Sequence, residues 1–188
     1  MILTNLDLLH CIEALTLPSN PSIALRKVKA GALLVQQHDT LHAVYIIKTG
    51  IAKCYIQEAN GKNYILEFLG AGEIIGEVEL IGQTPTLSTI AALTDLTVYK
   101  LQAAYFGELL ERNVEVNSLV MRELVRRLSQ TALRASLQQT HPLEHTVAKL
   151  VKLLAEQHLP LSKNDLADYL GITVRSLNRT LKEMGINL

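Results

Sequence analysis

Near Leu101 the apolar residues of this chain change period. Before it they fall in short β-rich runs broken by turn residues: LLV after Gly31, AVYII before Gly50, IAKCYI after it, then YILEFL and TVYKL. Beyond it they recur at three- and four-residue spacing, as in AAYFGELLERN and VNSLVMRELVRRLSQTALRASLQQ. A period of two places alternate side chains on opposite faces of a strand, whereas a period near 3.6 gathers them on one stripe of a helix. The chain therefore reads as α+β, with a β unit first and helices after it. Asn60-Gly61, between CYIQEA and KNYILEF, is a hairpin signal because both residues accept positive φ. With Gly31, Gly50, Gly70, Gly72 and Gly76 punctuating the rest, residues 25–101 predict an antiparallel β-roll, a double-stranded β-helix or jelly roll.

Composition narrows what such a chain does. Of its 188 residues 48% are apolar and 19% charged, enough for one or two real cores. Lys plus Arg and Asp plus Glu both number 18, so no global field draws it to nucleic acid or to an acidic membrane, and any affinity for DNA must come from a local patch. The opening MILTNLDLLHCIEALTL lacks a basic stretch and is interrupted by Asp7 and Glu13, which predicts an amphipathic helix and not a signal peptide. No apolar run reaches the roughly 20 residues that span a bilayer. Cys11 and Cys54 are too few for a disulfide scaffold, and free thiols predict a cytoplasmic protein.

In the longer helical stretch, Met121, Leu124, Leu128 and Ala135 make a coiled-coil-like seam, with Glu123, Arg126, Arg127 and Arg134 expected on the outer face. Val116, Leu119, Val120, Val125, Ala132 and Leu133 make a second stripe. Two stripes predict two partners, the chain's own roll and a second copy, so a homodimer formed through residues 117–139 is favoured over a helix that only lies on its own domain. Pro142 closes this region and opens PLEHTVAKLVKLLAEQ, an amphipathic helix followed by the connector His158-Leu159-Pro160-Leu161. The organisation expected is a roll over 1–113, a long dimerisation helix over 114–140 and a DNA-binding domain over 141–188.

The stretch LSKNDLADYLGITVRSLNRTLKEM carries the most functional information. Ser162 with Asp165 three residues later is an acidic capping box, Gly171 supplies a left-handed turn, and Thr173 caps a second helix over 174–184. Leu166, Leu170, Leu177 and Leu181 are placed to pack the two helices, with the small Ala167 at their crossing. These are the parts of a helix-turn-helix. Its second helix displays Arg175, Ser176, Asn178, Arg179 and Lys182, types that reach base edges and phosphates of double-stranded DNA from the major groove.

With these residues in place, the chain resembles the Crp/Fnr family of bacterial regulators along nearly its whole length. KAGALLVQQHDTLHAVYIIKTGIAKCYI is similar to that family's opening roll segment, GEIIGEVELIGQTPTLSTIAAL to its ligand cassette, and LSKNDLADYLGITVRSLNRTLKEM to its helix-turn-helix. The resemblance implies a cyclic-nucleotide-binding-type sensor roll, a long dimer helix and a winged-helix DNA-binding domain, with RNA polymerase as a further partner. It implies that Val174, Arg175 and Arg179 face DNA. It also implies a two-stranded wing after KEMGINL; the sequence stops at Leu188, so either a wing follows in a longer protein or the domain lacks it.

The cassette departs from the family pattern. Gly76 and Glu77 match the Gly-Glu pair whose carboxylate meets a ribose, but the position of the phosphate-neutralising Arg falls on Thr86, followed by Leu87 and Ser88, and no Arg or Lys lies between Lys62 and Lys100. A buried phosphate without a cation is strongly disfavoured. The effector is therefore expected to be an unknown small molecule other than cyclic AMP or cyclic GMP, and Glu77 to be a structural residue capping nearby amides. Two cysteines are too few for an iron-sulfur cluster, and none of the six histidines sits in a haem or metal motif. On one strand His38 and His42 would stand roughly 13 Å apart, too far for one metal, whereas in a turn they could meet; the His-x-His followed by Glu of a cupin-type metalloenzyme is absent, which weighs against that reading. No catalytic residue, metal or cofactor is expected. A sensor whose helix-turn-helix no longer reads DNA is the competing reading, and the exposed Arg175 and Arg179 weigh against it.

Overall fold

A computed structural model describes residues 2–16, 19–157 and 161–186. In chain order its elements are β1 (Ile2–Leu3), α1 (Leu6–Leu15), β2 (Ile23–Val28), β3 (Leu33–Val35), β4 (Ala43–Thr49), β5 (Ala52–Gln57), β6 (Asn63–Leu69) and β7 (Ile74–Ile75), followed by α2 (Glu77–Gly82), β8 (Thr89–Ala92), β9 (Leu96–Gln102), α3 (Ala103–Arg112) and α4 (Val114–Thr140). Then come α5 (Leu143–Gln157), α6 (Lys163–Leu170) and α7 (Val174–Glu183). The predicted connector at 158–160 and the terminal Leu188 lie outside the described residues.

The strands form two sheets, ordered β1-β6-β5-β8-β3 and β2-β9-β4-β7. Every pairing is antiparallel except that of β1, which runs parallel to β6 through Ile2–Phe68 and Leu3–Leu69. The roll expected from the sequence is thus antiparallel apart from this added edge strand. The hairpin β5–β6 turns at the predicted position, with Gly61 at φ 78° and the N–H of Gly61 donating to the carbonyl of Glu58 at 2.8 Å.

Strand β4 shows why the roll holds together. Ala43, Tyr45 and Ile47 face the opposite sheet and join the core between sheets with Ala52, Leu69 and Val98. Val44 and Ile46 point the other way and join Tyr99 and Leu101 beneath α1, α3 and α4. Both faces are buried, which explains an unbroken apolar run where an edge strand would alternate. Val116, Leu119 and Val120 of α4 complete that second core. At the junction, Asn113 ends α3 and caps α4 by accepting from the N–H of Val116 at 3.0 Å.

The C-terminal unit has a core of its own: Val147 and Leu150 of α5, Leu166 and Ala167 of α6, Leu177 and Leu181 of α7. No helix among the described residues is long and apolar enough to cross a membrane.

Candidate nucleic-acid interface and effector cavity

Local chemistry sets the position of α7. Ser162 Oγ accepts from the N–H of Asp165 at 3.1 Å while the Asp165 carboxylate accepts from the N–H of Ser162 at 3.0 Å, closing the capping box that starts α6. Gly171 sits at φ 69°, where a Cβ is strained, and the N–H of Ile172 donates back to Ala167. Thr173 then accepts from the N–H of Ser176 at 3.1 Å and begins α7.

Within α7, Leu177, Thr180 and Leu181 are buried. Arg175, Asn178, Arg179 and Lys182 are exposed, and their spacing of three, four and seven residues puts them on one stripe. Ser176 is half-buried at the edge of that stripe. Arg175, Arg179 and Lys182 form no ion pair with any described residue, so their charges are available to an outside anion.

The helix-turn-helix also leans on the roll, which the sequence did not signal. Lys53 Nζ of β5 lies 2.6 Å from Asp165 Oδ1. Burial alone would raise the Asp165 carboxyl, but hydrogen bonds from Lys53 and Ser162 outweigh it and hold the group below the usual carboxylate range. The Arg134 guanidinium of α4 stands 5.3 Å from the Tyr64 ring centroid and 4.9 Å from that of Tyr169, and donates to the carbonyls of Ile65 and Leu66. Tyr169 in turn packs against Phe68 with ring centroids 5.5 Å apart.

A cavity of about 270 Å³ lies inside the roll. Gly76, Glu77, Leu87 and Ser88 line it, as the cassette reading expects, together with Cys54, Glu67 and Arg127. Gly76 is required there: it sits at φ 92°, and a Cβ would come 2.7 Å from Leu41 Cδ1. Thr86 is not in the lining. Its Oγ1 donates to the carbonyl of Gln36 at 2.5 Å and its backbone bonds Asp39 and His38, so the residue in the phosphate position holds the loop and turns away from the cavity. Thr86, expected beside Gly76, Glu77, Leu87 and Ser88 in the effector pocket, therefore does not belong to it.

Four carboxylates meet two guanidiniums beside this cavity. Arg127 Nη1 lies 2.7 Å from Glu77, Nη2 lies 2.8 Å from Glu73, and Nε lies 2.9 Å from Glu123. Arg126 Nη2 contacts both Glu73 and Glu123 at 2.5 Å, and Glu67 stands 3.6 Å from Arg127 Nε. Burial pushes the Glu77 and Glu73 carboxyls up to about 7 against the pull of Arg127. The same arginine is held firmly protonated, because the glutamates outweigh its own desolvation. Two sequence expectations change here. Glu77 is structural, but its main partner is a guanidinium, and Glu123, Arg126 and Arg127 lie between α4 and the roll instead of on an outer face.

The seam on α4 also shifts. Met121 and Leu128 are exposed, but Leu124 packs with the core beneath the helix, and Val125 takes its place on the outward side.

A β-roll with an internal cavity, joined through one long helix to a helix-turn-helix with a free basic stripe, defines a sensor-and-reader class of protein. Residues 25–113 match the cyclic nucleotide-binding domain and residues 159–185 match the bacterial regulatory proteins of the crp family. The roll and the helix-turn-helix of this chain thus each resemble the corresponding part of the Crp/Fnr regulators.

Among curated relatives, the chain is 28% identical over 166 residues to the probable transcriptional regulator flp of Lacticaseibacillus casei, covering 85% of this chain and 75% of that protein. It is 32% identical over 89 residues to patatin-like phospholipase domain-containing protein 6 of Pongo abelii, a match that takes in 47% of this chain and spans only 6% of that protein. Its fold is similar to that of the c-di-GMP responsive global regulator CLP of Xanthomonas campestris, with a TM-score of 0.81 at 16% identity over 96% of this chain and 92% of that one.

Proposed function

We propose that this chain is a transcription regulator acting in the cytoplasm as a homodimer, in which two copies of α7 read a pseudo-palindromic DNA site under control of the roll. The observation that carries the proposal is the stripe Arg175, Asn178, Arg179 and Lys182, exposed and without internal ion pairs on a helix whose start is fixed by Thr173. Arg175 and Arg179 suit base or base-adjacent contacts, Asn178 and Ser176 suit secondary ones, and Lys182 suits a phosphate. On a protein of zero formal net charge, this local patch is what supplies the attraction.

The dimer reading is supported by Met121, Val125 and Leu128, three large apolar side chains exposed at four- and three-residue spacing on α4. The unit expected at 114–140 is then this helix, flanked by a sensor over 1–113 and a reader over 141–188. The effector is a small molecule other than cyclic AMP, and the chemistry needs no catalytic group.

Binding of the full chain to labelled duplex DNA, followed by fluorescence anisotropy across a salt series, tests the proposal. The expected result is an affinity that falls linearly in log-log form with salt, as counterions leave the phosphates. Absence of binding at low salt would overturn it.

A further inference from the structure

The charge inventory of the cavity restricts what enters it. Among the described residues its one lining cation is Arg127. Four of the five N–H groups of that guanidinium are taken, by Glu77, Glu73, Glu123 and the carbonyl of Ile74 at 2.8 Å. Glu67, Glu77 and Glu79 line the cavity against Arg127, and Glu73 and Glu123 stand behind them with Arg126, while Arg134 acts on Glu67 from α4, so carboxyls outnumber cations around the cavity. The burial that raises Glu73 and Glu77 toward neutrality acts equally against any further negative charge brought in from water.

Apart from Glu79, Thr131 and the Cys54–Ser88 pair, the remaining surface is apolar. Val35, Leu69, Ile75 and Ile90 line it from both sheets, and Val78 and Leu87 stand about half-exposed at its mouth. Cys54 is neutral, its thiol pushed up to about 12 by burial, and it donates to Ser88 Oγ at 3.1 Å. The Ser88 hydroxyl can rotate to donate to an acceptor on a guest.

We infer that the roll's cavity is a site for a small, uncharged, mainly apolar molecule bearing one hydrogen-bond acceptor, and that it rejects anions, cyclic nucleotides included. This rests on the reading of the roll as an effector-sensing domain. It goes beyond the lack of an arginine at position 86, because the arginine the cavity does contain is already neutralised by the protein itself.

Two dyes with one carbon framework test the inference: N-phenyl-1-naphthylamine, which is neutral, and 1-anilinonaphthalene-8-sulfonate, which carries a sulfonate. Saturable fluorescence of the neutral dye is expected at one site per chain, with the sulfonated dye about ten-fold weaker or worse at that site. Ser88→Phe, which fills the cavity, and Val78→Trp, which blocks its half-exposed mouth with little demand on the core, should each weaken the neutral dye by about ten-fold. Glu77→Gln keeps an acceptor for Arg127 Nη1 but removes a negative charge beside the cavity, and should narrow the gap between the dyes. Equal affinity of the two dyes at the site sensitive to Val78→Trp would overturn the inference, as would neutral-dye binding that neither variant weakens, or no saturable binding at all. DNA binding measured on the same preparations keeps the two readings apart: DNA binding without dye discrimination removes this inference alone, and dye discrimination without DNA binding removes the regulator.

Discussion

Lys53 Nζ stands 2.6 Å from Asp165 Oδ1, so a strand of the roll grips the carboxylate that caps the first helix of the helix-turn-helix. The two partners are not equivalent. Asp165 is almost wholly buried and serves both cap and bridge, while Lys53 is a quarter exposed and can turn to water.

The first prediction follows from that asymmetry. Lys53→Met should cost about 1–3 kcal/mol, since the buried Asp165 carboxylate loses its cation but keeps its bonds to Ser162. Asp165→Ala should cost more, adding a lost cap of about 0.5–2 kcal/mol to the lost bridge. Urea denaturation of both variants and of the double variant measures this. Equal costs, or strict additivity in the double variant, would contradict the shared role.

The carboxylate cluster predicts a pH dependence. Glu73 and Glu77 ionise in the folded chain only at about 7, against an ordinary value of 4.5, so between those limits the folded state binds more protons than the unfolded one and stability falls as pH rises. Glu123 and Asp165 shift the other way. Burial opposes ionisation in both, but Arg126 and Arg127 for the first and Lys53 and Ser162 for the second hold them low, so their contribution is lost only as pH falls below the usual carboxylate range. Thermal melts should therefore peak near about pH 5 and decline toward pH 8. Glu77→Gln should flatten the upper limb and spare the lower one. A wild-type melting temperature that rises from pH 5 to 7 would contradict this assignment.

What the sequence made legible was local. The capping box of Ser162 and Asp165, the turn at Gly171 and the cap at Thr173 lie within a few residues of one another, and each forms where spacing predicts. Strands β3, β4, β5, β6 and β9 were legible for the same reason, whereas β2, whose six residues include the exposed Arg26 and Lys27, does not stand out as a run. β7 has only two residues and β8 is buried at all four of its positions, so neither shows alternation, and the parallel pairing of β1 depends on a partner more than sixty positions away. Polar residues mislead most. Helical periodicity puts Glu123, Arg126 and Arg127 on a charged stripe, which normally means solvent, and nothing local reveals that Glu73 and Glu77 wait opposite them. Lys53 and Asp165 are 112 positions apart and carry no mutual signal. On α4 a choice between the adjacent apolar residues Leu124 and Val125 rotates the seam by about 100°.

That rotation yields the next prediction. Val125→Glu with Leu128→Glu should leave the chain monomeric and folded, because both side chains are exposed in the single copy and charges would be buried only on association. Leu124→Ala should instead lower stability, by less than the roughly 2–5 kcal/mol of a fully buried leucine, and leave association intact. Sedimentation velocity together with melting curves separates the two effects. An intact dimer in the double glutamate variant would show that another surface pairs the copies.

If α7 reads DNA sequence, selection of binding sites from random duplex DNA returns a defined site whose preferences depend on its arginines. In a two-fold dimer the two copies of α7 should meet successive major grooves about 34 Å apart, so the wild-type selection should return an inverted repeat with half-sites one helical turn apart. Repeated with Arg175→Ala and Arg179→Ala, the selection should lose preference at a defined position in each half-site, at a cost of about 1–3 kcal/mol for a bidentate guanine contact, whereas Lys182→Ala should weaken all sequences alike. The same inverted repeat, returned with undiminished preference by both arginine variants, would contradict the assignment of α7 as the recognition helix.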